Sequence, residues 1–257
     1  MVLQMFLQSY VTPICLIIDI GGVANLRKLI GTAFFVGEGG YYLTARHVLE
    51  QALAEAGQTG CEVGLVVKND DGKSKENGVL KLNRYEFARE PFDIAAGWVP
   101  YRPQSPLKVC AFEADVWRNV AALGYPESAS IMEGEALWLN IRGYRGYIQR
   151  ATLPRDMPLG RHPNGFELSF LLGPGSSGAP VFTVPDKTLI GVGVGSYKSE
   201  HIEEEFTQVD DNGKEYREQR IRIEQFGFAH DISGLLDWRA DIFDGASLQE
   251  VATMPRG

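Results

Sequence analysis

The chain has 257 residues, 44% hydrophobic and 23% charged, enough for one large or two small domains and for a core that needs no disulfide or metal. Its 25 Lys and Arg stand against 33 Asp and Glu, and the formal charge of −8 argues against a general binder of nucleic acid or anionic membrane, whose phosphates need clustered cations. Cys15, Cys61 and Cys110 lie far apart with no Cys-x-x-Cys pair, which argues against a disulfide framework or zinc ribbon. They read as small buried hydrophobes in a reducing, cytoplasmic compartment, with no metal and no cofactor expected.

The apolar stretch Val11–Ile18 is interrupted by Pro13 and has neither a positive segment before it nor a cleavage site after it, so no signal peptide is expected. No apolar run reaches about 18 residues, so no transmembrane helix is expected either. Ile14–Ile20 predicts a strand ended by Gly21-Gly22, Gly31–Val36 a second, and Tyr41–Ala45 a third after the turn Gly37-Glu-Gly-Gly40. His47–Ala56 can form a short helix. Gly64–Lys68 and Val79–Leu82 flank the polar stretch Asn69–Lys73, a hairpin signal, and Ile94–Val99 is a further strand. Tyr101–Leu107, with Pro103 and Pro106, reads as a linker. Beyond it, Val120–Leu123, Ala136–Ile141, Gly146–Ala151, Phe166–Phe170, Ala179–Val184, Leu189–Val194 and Ile223–Phe228 all read as strands. Lys198–Arg222 is densely charged around Asp210-Asp-Asn-Gly213 and predicts a solvated hairpin. Ser233–Phe243 is a second helix candidate, with Asp231 or Ser233 as N-cap. Many short strands broken by turn residues argue for an all-β sandwich or barrel.

Three segments carry chemistry. Leu43-Thr-Ala-Arg-His-Val48 lies at a strand-to-helix transition, Phe92-Asp-Ile-Ala95 opens an apolar run, and Gly173-Pro-Gly-Ser-Ser-Gly-Ala-Pro180 is a tight turn before a strand. Each has a plain reading alone: His47 as a helix-start histidine, Asp93 as a turn cap, Ser177 as a turn residue among glycines. Jointly they supply a base, an orienting acid and a nucleophile in the order His, Asp, Ser.

These segments resemble the histidine, aspartate and serine boxes of trypsin-like (chymotrypsin-fold) serine peptidases of the disulfide-free bacterial kind. Gly31-Thr-Ala-Phe-Phe-Val36 resembles the strand leading to the histidine, and Leu189-Ile-Gly-Val-Gly-Val194 the strand that pairs with substrate. Gly227-Phe-Ala229 and Leu235-Leu-Asp-Trp238 resemble the last strand and the C-terminal helix. The resemblance implies two six-stranded antiparallel β-barrels with a short C-terminal helix. Residues 1–107 would carry His47 and Asp93, residues 108–257 would carry Ser177, the helix and the tail, and together they would make one peptidase domain. It implies a serine endopeptidase acting on a protein or peptide substrate through an acyl-enzyme. Ser177 would attack, His47 would move the proton, Asp93 would orient the imidazole, and the N–H groups of Gly175 and Ser177 would hold the oxyanion.

Two departures stand out. Ser176 precedes the nucleophile where extracellular members carry an Asp that receives a freed N-terminus. Val194 stands where the family carries a serine that bonds the aspartate, with Ser196 nearby. The resemblance places the substrate pocket at Leu171, its floor, with Val194, Gly195, Ser196, Gly227 and Ala229 around it. None is acidic, and an unpaired buried cation costs several kcal/mol, so an apolar residue before the scissile bond is expected. Glu167, four residues upstream of Leu171, is the one acid that a gap in the alignment would bring in. The alternative is a proteolytically inactive member of the fold that binds a peptide or protein. An α/β-hydrolase does not fit, because the His comes first and a strand follows the Ser. Gly191-Val-Gly-Val-Gly195 lacks the following helix of a nucleotide site. No kinase, PDZ or membrane module is recognised, so a regulatory partner would act through 198–222.

Overall fold

The computed structural model describes residues 7–68, 77–134, 136–156 and 162–254. The first half contains β1 (Val11–Ile20), β2 (Val23–Val36), β3 (Tyr41–Thr44), α1 (Arg46–Thr59), β4 (Glu62–Lys68), β5 (Asn77–Lys81), β6 (Arg84–Phe87) and β7 (Ala95–Trp98). The strands form one antiparallel sheet in the order β5-β4-β1-β2-β3-β7-β6. β1 is buried from Val11 to Ile17 because β2 and β4 flank it, which is why its sequence is almost continuously apolar. Bulges after Ile14 and Leu16 in the β1–β2 ladder increase the local twist. α1 buries Val48, Leu49, Ala52 and Ala56, the stripe expected of an amphipathic helix, and ends at Gly60 in the left-handed conformation.

This half corrects the expectation of a six-stranded barrel. It has seven strands, and its ladder stays open, with β5 and β6 as the two edges. The Leu82 N–H bonds the Val63 carbonyl at 2.9 Å, one step beyond the Gly64–Lys81 pair, so Leu82 extends the β4–β5 ladder rather than pairing with β6.

The second half closes. β8 (Asn119–Gly124), β11 (Arg142–Thr152), β12 (Gly165–Leu168), β13 (Pro180–Thr183), β14 (Leu189–Val209) and β15 (Glu215–Asp231) form a barrel in the order β11-β12-β15-β14-β13-β8. Val120, Ile148, Phe166, Leu168, Val181, Ile190 and Ala229 fill it. β9 (Ile131–Glu133) and β10 (Ala136–Trp138) make a separate hairpin. Residues 101–107 cross between the halves without a strand. The hairpin turn expected at 69–73 lies outside the described residues, although Lys68 pairs with Asn77 on its two sides.

The charged segment is the expected hairpin, far longer than its apolar run suggests. β14 and β15 leave the barrel as a two-stranded ribbon that stays paired out to Val209 and Glu215. The Asp210 carboxylate accepts the Asn212 and Lys214 N–H groups, both at 2.9 Å, and closes the turn.

The helix expected over Ser233–Phe243 is instead two short 3-10 turns, Ser233–Leu235 and Asp241–Phe243. The carbonyls that would propagate it are taken by the tail: Trp238 accepts from Leu248 at 2.9 Å and Leu236 from Gln249 at 3.1 Å. The C-terminal helix is α2 (Leu248–Thr253), started by a capping box between Ser247 and Glu250. Leu235, Phe243, Leu248 and Val251 join the core of the first half, and the Phe243 ring meets Tyr41 edge-on at 5.5 Å.

All three cysteines are free thiols, and burial pushes the Cys15 thiol up to about 12. Among the described residues no helix is long and apolar enough to cross a membrane.

Candidate active site

Strands β3 and β7 are neighbours, Thr44 facing Ala95, so the turn after one and the loop before the other meet at one end of the sheet. That brings together two side chains 46 residues apart in sequence. His47 sits in the first turn of α1. Its N–H donates to Asp93 Oδ1 at 2.8 Å, and its Nδ1 lies 2.6 Å from Asp93 Oδ2. The Arg46 N–H adds a bond to the Asp93 carbonyl at 3.2 Å. A carboxylate at Nδ1 sets the tautomer with its proton there and leaves Nε2 as a base. The His47 side chain is 43% exposed.

Ser177 lies in the turn that enters β13, and a strand from the other half holds this turn. The Thr32 N–H donates to the Ser177 carbonyl at 2.9 Å, and the Thr32 hydroxyl donates to the Gly175 carbonyl at 2.8 Å. That hydroxyl also accepts the Tyr125 N–H at 2.9 Å, and the Thr32 carbonyl accepts the Thr44 hydroxyl at 2.7 Å, next to the start of α1. Ser176 is fully buried, with its hydroxyl 3.0 Å from that of Tyr144. The Pro174 carbonyl is turned outward onto the Glu127 N–H at 2.8 Å, and Gly178 donates to Gly193 at 2.7 Å. Gly175 has a φ of +85°, a conformation that glycine adopts without strain. Among the described residues, the Gly175 and Ser177 N–H groups have no protein acceptor, and no hydrogen bond joins the Ser177 hydroxyl to His47. Two unengaged N–H groups in one turn can receive a developing oxyanion.

The substrate-pairing positions lie along β14 and β15. Val194 is half-buried at a bulge in the ladder, Gly195 pairs with Phe228, and Ser196 pairs with Gly227. Leu171 is 40% exposed, whereas the neighbouring Leu172 is 2% exposed. The backbone at Gly227 is closely approached. Its N–H bonds the Phe170 carbonyl at 2.9 Å, and a Cβ there would sit 2.4 Å from that oxygen. Ala229 is wholly buried in the barrel core. Glu167 is already paired: Arg150 lies 2.9 Å away, and the Tyr197 hydroxyl donates to the same carboxylate oxygen. Burial and that carboxylate push the Tyr197 hydroxyl up to about 12.

Several residues around the site escape a sequence reading. Thr32 lies inside a quoted strand but carries no signal of its bridging role. Tyr125 and Tyr144 lie just outside the strands expected at Val120–Leu123 and Gly146–Ala151, and carry no signal of their own. His230 is fully buried, accepts the Asp93 N–H on Nδ1 at 3.1 Å, and lies 3.1 Å from His162 through Nε2. Burial lowers it to about 4, against the pull of Asp93. The missing hydroxyl at Val194 was the available hint that another polar group stands behind the aspartate. Among the described residues no group of His, Cys, Asp or Glu is arranged to hold a metal ion.

The family model for trypsin-like peptidase domains matches residues 31–192, more than half of the chain and the span that holds His47, Asp93 and Ser177. The chain belongs to that family. A search of curated proteins finds no match. Among solved structures, it is similar to the protease domain of MamO from Magnetospirillum magneticum in its apo form. That similarity has a TM-score of 0.52 and 13% identity, over 92% of this chain and 98% of the other. At that identity the likeness concerns the fold.

Proposed function

We propose that the chain is a serine endopeptidase that hydrolyses peptide bonds through an acyl-enzyme. The observation that carries this reading is the His47–Asp93 pair, in the same half of the molecule whose Thr32 holds the Ser177 turn through the Ser177 and Gly175 carbonyls. Ser177 attacks the scissile carbonyl as His47 Nε2 takes its proton. The carbonyl oxygen, now negative, is held by the Gly175 and Ser177 N–H groups, typically worth about 3–4 kcal/mol per donor. His47 then protonates the leaving amine, which departs, and a water repeats the cycle on the ester. Asp93 keeps the imidazole oriented and stabilises its cation. The absence of a Ser177–His47 hydrogen bond accords with free enzymes, in which such bonds often tighten only on substrate.

Two facts support an apolar residue before the scissile bond. Leu171, where the resemblance puts the pocket floor, is apolar and exposed, and Glu167 is engaged by Arg150 and Tyr197 rather than free to receive a basic side chain. Free thiols fit action in a reducing compartment.

A fluorophosphonate probe tests the reading. It is expected to attach to Ser177, and Ser177→Ala or His47→Ala is expected to abolish labelling in a chain that still folds. A folded sample that takes no label would instead favour the inactive peptide-binding module, which Val194 and the unmade Ser177–His47 bond also fit. Peptide-library profiling that returned Arg or Lys before the scissile bond would overturn the apolar pocket.

A further inference from the structure

We propose that His230 is a positioning residue for the His47–Asp93 pair: held in one neutral tautomer, it fixes the Asp93 main chain where Val194 offers no hydroxyl to the carboxylate. This rests on the peptidase reading above. His230 belongs to β15, in the second half, whereas Asp93 belongs to the first. Its backbone is tied on both sides, paired with Val192 on β14 and with Gly165 on β12. The ring is fully buried and packs edge-on against Phe228 at 5.6 Å and His162 at 5.4 Å.

The tautomer follows from the donors. A backbone N–H can only donate, so the Asp93 N–H at 3.1 Å requires a lone pair on His230 Nδ1. The ring proton is then on Nε2, where it donates to His162 Nδ1 at 3.1 Å. His162 in turn carries its own proton on Nε2. Protonating His230 would set two N–H donors against each other at Asp93, and burial already opposes that charge.

The consequence for Asp93 is that both of its own peptide groups are anchored, its carbonyl by Arg46 and its N–H by His230. The carboxylate is thereby aimed at His47 through the backbone. In this chain the second half reaches the orienting acid through a ring nitrogen acting on a main-chain N–H.

Nitrogen-15 shifts of the imidazoles in the unmodified chain give the first test. His230 is expected with Nδ1 bare and Nε2 protonated, and still neutral near pH 5, given a value of about 4. The second test pairs His230→Leu with His230→Asn, whose side-chain oxygen can accept the Asp93 N–H. His230→Leu is expected to lower kcat by up to about 100-fold with KM little changed, as for a displaced catalytic group. It should also shift the low-field proton resonance of His47 Nδ1–H, and His230→Asn should restore both. A proton on His230 Nδ1 in the native chain would overturn the proposal, and so would a folded His230→Leu with unchanged kcat and resonance. If the unmodified chain hydrolyses nothing, the peptidase reading falls, while the tautomer and the His47 resonance still decide this inference.

Discussion

At Thr32 a single hydroxyl serves two partners from the other half of the molecule, donating to the Gly175 carbonyl and accepting from the Tyr125 N–H. Thr32→Val keeps the shape and removes both bonds, leaving two buried backbone groups unpaired. Each orphaned group costs about 1–3 kcal/mol. The urea midpoint is expected to fall accordingly, and fluorophosphonate labelling to slow because the turn before Ser177 is released. A wild-type midpoint would show that this bridge adds nothing. His230 gives a second expectation, set by pH. Its folded value of about 4 lies below the unfolded 6.5, so the unfolded chain binds the extra proton between them. The stabilising contribution is complete above pH 6.5 and is lost as pH falls through 4, about 3 kcal/mol in all. Burial sets it, with Asp93 favouring the charged ring and His162 and His47 opposing it. Denaturation curves from pH 7 to 4 should show this loss in the native chain, and it should be absent in His230→Asn. His47 and Asp93 are legible in sequence because each sits in a local strand-end pattern. Thr32 and His230 are not, because their partners lie 143 and 137 residues away and the contact exists only after folding.

The strands themselves are legible wherever apolar and turn residues alternate at short range. Their ends are less so when charge takes over. β14 runs through Val209, well past its apolar stretch, because its backbone stays paired with β15 out to Glu215 while the side chains remain exposed. Ile202 and Ile221 pair directly and remain 56% and 42% exposed. Such a ribbon adds no buried core, so joining Ser199 to Glu224 through a short Asn-Gly turn should leave the thermal midpoint of the barrel unchanged. A large drop would mean that the ribbon shelters part of the barrel. Native-state amide exchange should likewise be fast along the ribbon and slow in β1, β2 and β8. The helix expected over Ser233–Phe243 fails for the opposite reason: local pattern favours it, but the tail takes the carbonyls that would extend it, and the C-terminal helix forms at Leu248–Thr253.

For the whole molecule, two strand-rich halves can be read from the sequence, but closure cannot. The second half closes and the first stays open, a difference made by pairings between strands distant in sequence. The preformed turn at Ser177 also bears on activation. Ser176 is bonded inside its own half by Tyr144, and Gly175 is held by Thr32. No freed N-terminus is needed to shape this turn, so the chain beginning at Met1 is expected to take a fluorophosphonate label without a prior cut. A strict need for cleavage near residues 11–22 would contradict that.

The packing of the tail has a consequence for the order of events during synthesis. The core beneath β2 and β3 is completed by Phe243, Leu248 and Val251, which leave the ribosome long after those strands. Until they emerge, the first half lacks part of its interior, and the Thr32 bridge has no serine turn to grip. The contacts that arrange the candidate site wait as well: Asp93 has no ring nitrogen behind it until His230 emerges, so the site can assemble only once nearly the whole chain has been made.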